Sequence, residues 1–124
     1  ILGAPLGHDH AVVSLSDLLT PWDVIERRLR AAAEADLVVA LYNPRSKART
    51  WQLGAARRVL LEQRKPETPV GVVSDAARPG QRVRLTTLGD LESVDVDMTS
   101  CVIVGSTTTT VVGGRMVTPR GYRA

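Results

Sequence analysis

The chain has 124 residues, which is enough for one packed domain but short for an enzyme of two domains. A hydrophobic content of 44% and a charged content of 23% are ordinary for a globular protein, and no apolar run is long enough to span a membrane. The net charge of +3 is dispersed, without the basic stripe and stacking aromatics that nucleic-acid binders show. The single cysteine, Cys101, permits no internal disulfide and suits the cytoplasm.

The first elements along the chain are a strand and a helix. A short apolar run over residues 11–15 predicts the strand. A helix start follows, with Thr20 as the N-cap, Pro21 at the first helical position and Asp23 completing a capping box. Apolar residues then recur at helical spacing, and the helix is expected to end near Asp36.

The next strand is the most informative part of the sequence. Residues 37–41 are all apolar, which predicts a strand over 37–42 that is buried on both faces of a sheet. Tyr42 and Asn43 bring polar groups, and Pro44 disfavours helix at the residue before it. In open α/β sheets, small ligands bind in the crevice at the carboxyl ends of such strands. We therefore expect the functional site here.

A second helix and a third buried strand complete the first half. Helical spacing runs from Ser46 to about Arg64, and Arg57, Arg58 and Arg64 are expected mostly on the outer face. A further apolar run predicts a strand over 70–74. The β-α-β-α-β order predicts that the three strands are parallel neighbours with their carboxyl ends along one edge.

The second half has a different pattern, which predicts antiparallel strands. Residues 82–86 alternate polar and apolar, as a strand with one wet face does. A short helix is expected over 87–93, a strand over 100–104, and a hairpin that turns at Gly113-Gly114. The whole chain therefore predicts an α/β fold with a mixed sheet.

No motif identifies a catalytic residue or a metal site. The cluster His8-Asp9-His10 is more consistent with a surface loop than with a metal centre. The run GSTTTT at 105–110 either cradles an anion or, as the favoured alternative, is a turn that ends a strand. The pairs at 16–17 and 74–75 follow strands, and each is either a ligand contact or a helix cap or turn.

Three segments carry a resemblance to a known family: LGAPLGHDHAVVSLSDLLTPWDVIERRL, ALYNPRSKARTWQL and GGRMVTPRGY. They are similar to the C-terminal domain of the tetrapyrrole (corrin/porphyrin) methylase family. The resemblance implies a three-layer domain with a mixed, mainly parallel sheet of about five strands and a C-terminal hairpin. It also implies that residues 1–124 are one domain, the C-terminal half of a two-domain methyltransferase, and that the N-terminal domain lies outside this chain.

The resemblance implies methyl transfer from S-adenosylmethionine to C17 of precorrin-3B, with ring contraction to precorrin-4, in cobalamin biosynthesis. The expected partners are a small tetrapyrrole substrate, the N-terminal domain and a second copy in a homodimer, with no nucleic acid and no membrane. Two alternatives stay open: methylation of another corrin or porphyrin position, and a non-catalytic module for dimerisation or regulation in a fused protein.

The resemblance also places ligand contacts at two strand ends. Leu41 and Ala76 match residues whose backbone holds the adenosine part of the cofactor, and the side chain of Leu41 is expected to cover the adenine. The full set of expected cofactor contacts is Leu41, Tyr42, Asn43, Asp75, Ala76 and Ala77. The expected substrate contacts are Arg45, Arg78, Ser16 and Asp17, because arginine binds the carboxylates of such a substrate well.

Overall fold

The computed structural model describes the backbone of residues 3–4 and both backbone and side chains of residues 9–44, 51–74, 79–92, 96–97 and 99–119. The elements follow in the order β1 (Gly3–Ala4), β2 (His10–Ser14), α1 (Trp22–Glu34), β3 (Val38–Tyr42), α2 (Gln52–Leu61), β4 (Pro69–Ser74), β5 (Arg82–Thr87), β6 (Cys101–Val104), β7 (Thr110–Val112) and β8 (Arg115–Val117). Neither helix is long and apolar enough to cross a membrane, within the residues that the structure describes.

Five strands form the main sheet, in the order β2-β3-β6-β4-β5. Strands β2 and β3 pair in parallel, whereas β6 is antiparallel to both β3 and β4, and β5 is antiparallel to β4. The predicted mixed sheet of about five strands is confirmed, and β2, β3 and β4 run in one direction as expected. The prediction that β3 and β4 are neighbours is wrong, because β6 lies between them.

Both described helices pack on the same face of this sheet. Alternate strand residues such as Val39, Leu41 and Val102 join helix residues Ile25 and Leu29 in one apolar cluster. Burying each such side chain contributes about 1.5–3 kcal/mol. The helices also touch each other, because the ring of Trp22, the first residue of α1, meets the ring of Trp51, the N-cap residue of α2, edge to face with 4.8 Å between centroids. Within the described residues, no helix covers the opposite face, where the expected three-layer arrangement would place one.

The helix boundaries differ from the prediction at several points. Helix α1 has Pro21 rather than Thr20 at its N-cap, and no side chain caps it. The carbonyl of Pro21 accepts hydrogen bonds from the first turn of the helix, so the predicted capping box does not form. The expected helix over 87–93 is also wrong in its described part, where Leu88 begins a turn whose N–H bonds to the Thr68 carbonyl.

The C-terminal hairpin is confirmed and belongs to a second, three-stranded sheet in the order β1-β8-β7. Its turn residues Gly113 and Gly114 have φ angles of +57° and +75°. A two-residue turn of this kind requires positive φ at both positions, which glycine adopts without a steric penalty.

Arg64 corrects the expectation that the last arginine of the second helix faces solvent. It lies just beyond α2, is 4% exposed, and donates hydrogen bonds to the carbonyls of Gly105 (2.5 Å) and Leu37 (2.6 Å). Its Nε lies 3.7 Å from Asp36 Oδ1. Burial lowers the pKa of Arg64, and the charge of Asp36 opposes that shift. The guanidinium therefore ties together the segments that enter β3 and leave β6.

Candidate functional site

The carboxyl ends of β2 and β3 lie side by side, with Ser14 paired to Tyr42 in parallel register. The N–H of Leu15 extends the pairing by donating to the Tyr42 carbonyl at 2.9 Å. This pairing brings the exposed residues Tyr42 and Asn43 to one edge of the sheet, as the sequence predicts for polar groups at the end of this strand.

An open cleft of about 600 Å³ lies at this edge, between the end of β2 and the first turns of α1. Hydroxyl groups of Ser14, Ser16 and Thr20 line it together with Tyr42 and Asn43. Its apolar wall includes side chains that are unusually exposed for leucine: Leu18 at 73% and Leu19 at 98%. A cleft that combines an apolar wall with a few polar groups is typical of small-molecule sites.

Asn43 holds the two strand ends together in an uncommon backbone conformation. Its φ of +53° lies in the left-handed region, which asparagine tolerates better than most residues. Its Nδ2 donates to Ser14 Oγ at 3.1 Å, and the N–H of Ser16 donates to the same oxygen at 3.2 Å. The bend at Asn43 thus links β3 to the loop after β2.

Leu41 and Tyr42 present different groups to this edge. The side chain of Leu41 is 1% exposed and packs in the core against the helices, so the predicted contact of this residue with the cofactor would come from its backbone. Its backbone pairs with β2 and β6. The side chain of Tyr42 points to the other face and is 44% exposed, so it is the aromatic surface available here.

The neighbouring residues Ser16 and Asp17 have different surroundings. Ser16 lines the cleft, whereas Asp17 Oδ1 accepts a hydrogen bond from Gln52 Nε2 at 3.4 Å. Gln52 is the first residue of α2 and is 3% exposed, and its Oε1 has no hydrogen-bond partner among the residues that the structure describes. The Asp17–Gln52 contact therefore positions the loop after β2 against α2.

The end of β4 carries a second polar group of residues. Ser74 Oγ lies 2.8 Å from Ser100 Oγ, whose hydroxyl donates to Asp97 Oδ1 at 3.1 Å. Asp97 Oδ1 also accepts two hydrogen bonds from Thr99, and Arg82 bonds to Asp97 Oδ2 at 3.1 Å. The hydrogen bonds from Thr99 lower the pKa of Asp97 most, and those from Ser100 and the charge of Arg82 act in the same direction. Ser74, Arg82 and Asp97 of this cluster line a cleft of about 490 Å³.

Five of the expected contacts lie outside the described residues. They are Arg45, Asp75, Ala76, Ala77 and Arg78. They stay predictions.

The hydroxyl-rich turn at 105–110 is not part of this edge. Gly105 follows β6, which runs opposite to β3, so the turn lies at the other end of the sheet. Its hydroxyls bond to one another, as Ser106 Oγ does to Thr109 Oγ1 at 3.3 Å. Thr107 donates both its N–H and its hydroxyl to the carboxylate of Asp36. These internal bonds favour the structural interpretation of the turn over the anion cradle.

The described residues include neither a cluster of metal ligands nor a cysteine that lines the cleft. No cluster of three potential metal ligands occurs among the residues whose side chains are described. Cys101 is half-buried in the first position of β6, and burial raises the pKa of its thiol. The neutral thiol is a poor nucleophile.

Arg28 is a lining residue that the sequence did not reveal. It stands on α1, one turn after the buried Ile25, and both contribute to the cleft. Spacing of three residues places side chains on the same side of a helix, so the position next to Ile25 was the available signal. That signal is weak, because α1 carries four arginines or glutamates on its other sides as well: Glu26, Arg27, Arg30 and Glu34.

Comparison with known proteins gives consistent matches. A sequence model of the family described as Tetrapyrrole (Corrin/Porphyrin) Methylases matches residues 1–92. The Probable cobalt-factor III C(17)-methyltransferase of Salmonella typhimurium is 56% identical over 98% of this chain and 51% of its own length. The Precorrin-3B C(17)-methyltransferase of a Sinorhizobium species is 51% identical over 90% of this chain and 44% of its own length.

The solved structures include one with nearly the same arrangement of elements. The crystal structure of the methyltransferase CobJ superposes with a TM-score of 0.90 at 38% identity, over 95% of this chain and 49% of that one. The chain thus spans about half the length of the relatives it matches. Since the family model covers most of the sequence and these relatives share about half of its residues, the chain belongs to the tetrapyrrole (corrin/porphyrin) methylase family.

Proposed function

We propose that the protein methylates a corrin precursor at C17, with S-adenosylmethionine as the methyl donor, as a step of cobalamin biosynthesis. The observation that carries this proposal is 56% identity, over 98% of the chain, to a protein named for C17 methylation of cobalt-factor III. The identity of 51% to a precorrin-3B C17-methyltransferase supports the same ring position. Precorrin-3B and cobalt-factor III are therefore the two substrates to compare.

The described edge of the sheet fits part of a nucleoside-binding surface. Tyr42 offers an exposed aromatic ring for stacking, and the Oδ1 of Asn43 offers an acceptor beside it. Ala76 and its neighbours at the end of β4 are proposed as further contacts, on the strength of the family resemblance. In this arrangement β3 and β4 contribute separate contacts, with β6 between them.

S-adenosylmethionine, when bound, supplies an activated methyl group on a sulfonium. The residues of this chain then have to hold donor and acceptor in line and exclude water, and they need not form a covalent intermediate. Asn43 contributes by fixing the end of β3 to Ser14, and Gln52 by holding Asp17. A nucleophile–base pair is not required for this chemistry.

We further propose that residues 1–124 form the C-terminal half of a two-domain enzyme, that the cofactor lies between the halves, and that the enzyme is a homodimer. The coverage of about half of each relative supports the first point. Sedimentation equilibrium distinguishes a dimer from a monomer.

The test of the function is methyl transfer by the protein at its full natural length. The enzyme is incubated with S-adenosylmethionine carrying a ¹³C-labelled methyl group and with precorrin-3B or cobalt-factor III in separate reactions. We expect one labelled methyl on C17 and a contracted ring, read by NMR and mass spectrometry. A label at another ring carbon would support the alternative methylase. Binding of neither cofactor nor substrate would support the non-catalytic module.

A further inference from the structure

The lining of the cleft beside β2 combines two kinds of group. Leu18 and Leu19 expose apolar surface that nothing in the described part of the chain covers. The lining also includes hydroxyl groups, the Asn43 amide and one cation, Arg28. Among the described residues that line the cleft, none is acidic. Such a surface suits a ligand that is apolar in its body and anionic at its edge.

Arg28 is exposed and makes no hydrogen bond or ion pair with any residue that the structure describes. The contrast with Arg30 on the same helix is clear, because Arg30 pairs with Glu26 and with Glu62. A guanidinium presents a planar set of donors that matches the two oxygens of a carboxylate. Arg28 is thus available to pair with an anion that enters the cleft.

Ser14 adds a second donor. A hydroxyl has one O–H donor and two acceptor positions. Both acceptor positions of Ser14 Oγ are occupied, by Asn43 Nδ2 at 3.1 Å and by the N–H of Ser16 at 3.2 Å. No acceptor for its hydrogen occurs among the described residues, so the hydroxyl can donate into the cleft. The donors of Arg28 and Ser14 therefore favour a ligand that brings oxygen acceptors.

We propose that this cleft binds a carboxylate group carried on an apolar frame, with Arg28 pairing with the carboxylate and the two leucines packing on the frame. The proposal rests on the proposed function, because a tetrapyrrole precursor is a flat apolar ring edged with carboxylate side chains. The methionine part of S-adenosylmethionine also carries a carboxylate. The substrate is the expected source, since the exposed leucines match a large ring better than a short amino-acid chain.

The test is calorimetric titration of the full-length protein with two probes, uroporphyrin and S-adenosylhomocysteine. Arg28→Gln removes the charge and keeps most of the side-chain length. The matched control is Arg27→Gln, which removes an exposed arginine of the same helix that does not line the cleft. We expect Arg28→Gln to weaken uroporphyrin binding about tenfold, or roughly 1.4 kcal/mol. Arg27→Gln should match the wild type, and Arg28→Lys should fall between because it keeps the charge without the planar donors.

The two probes identify the source of the carboxylate. Weaker uroporphyrin binding with unchanged S-adenosylhomocysteine binding assigns the cleft to the substrate. The reverse pattern keeps the carboxylate site but assigns it to the cofactor. Equal affinities of the Arg28→Gln and Arg27→Gln proteins for both probes would overturn the proposal while leaving the methyltransferase function standing. If the wild-type protein binds neither probe, both the carboxylate site and the proposed methyltransferase function would be contradicted.

Discussion

Asn43 gives the sharpest single-residue test of the proposed cofactor-binding edge, because two substitutions separate the effect of its side chain from the effect of its backbone conformation. Glycine adopts a φ of +53° without strain, whereas alanine there costs about 1 kcal/mol. We expect Asn43→Gly and Asn43→Ala to weaken S-adenosylhomocysteine binding equally, by about fivefold for one lost hydrogen bond. Both variants lose the hydrogen bond to Ser14, and Asn43→Ala should lower the free energy of unfolding further, by the cost of its strained backbone. Calorimetry and urea unfolding measure the two effects, and wild-type affinity in both variants would remove Asn43 from the cofactor site.

At the level of single residues, the end of a fully apolar strand at Tyr42-Asn43 predicted a crevice at this edge of the sheet, and a cleft lined by both residues lies there. Its use as a binding site stays a prediction. The burial of the Leu41 side chain was not predicted in detail, since alternation along the strand turns that side chain into the core and leaves its backbone for the expected contact. Arg28 was missed because it reaches the cleft from a different element, and short-range spacing does not show which elements meet.

Arg64 joins segments from different elements, and we expect its replacement to lower the free energy of unfolding strongly. Arg64→Met removes the donors to Gly105 and Leu37 and leaves Asp36 without its cation, so we expect a loss of about 2–4 kcal/mol in the free energy of unfolding. Arg64→Lys should lose less, because it keeps a charge but reaches fewer acceptors.

The control for Arg64 is Arg58→Met, which changes an exposed arginine of α2 and should shift stability by less than about 0.5 kcal/mol. The measurement is the urea midpoint at constant slope. Equal midpoints for the Arg64→Met and Arg58→Met proteins would contradict a structural role for the buried guanidinium.

The sequence predicted those features of the elements that local residue chemistry determines. It did not predict those that depend on pairing between distant parts of the chain. The turn at Gly113-Gly114 was found because positive φ requires such residues. The strands were found from their apolar runs. The place of β6 between β3 and β4 was not found, because hydrophobic periodicity identifies a strand but not its partners. Arg64 was assigned to solvent for the same reason, since its acceptors come from segments far along the chain.

For the whole molecule, acid unfolding should depend on Asp97. Its pKa in the folded protein is lowered below the ordinary value of 3.8, so its contribution is complete above that pH and is lost as the pH falls through the folded pKa. We expect Asp97→Asn to cost about 1 kcal/mol at neutral pH, a modest value because the side chain is 43% exposed. Below pH 4 the wild type and the variant should converge.

The measurement is the urea midpoint as a function of pH. Asp90→Asn is the control, because that carboxylate is exposed and accepts no hydrogen bond within the described part of the chain. A constant difference between the Asp97→Asn and wild-type midpoints from neutral pH to pH 3 would show that the ionised carboxylate has no special stabilising role.

The position of β6 also sets the order in which the chain can fold. The first three strands of the main sheet are complete once Ser74 has been synthesised, yet β3 and β4 are joined only when Cys101–Val104 pairs with both of them. Until then each of these apolar strands has an unpaired edge, which is the feature that promotes aggregation. Closing the sheet requires contacts between residues about sixty positions apart, and such long loops slow folding. A nascent chain that ends before Cys101 should therefore expose the unpaired edges of both β3 and β4.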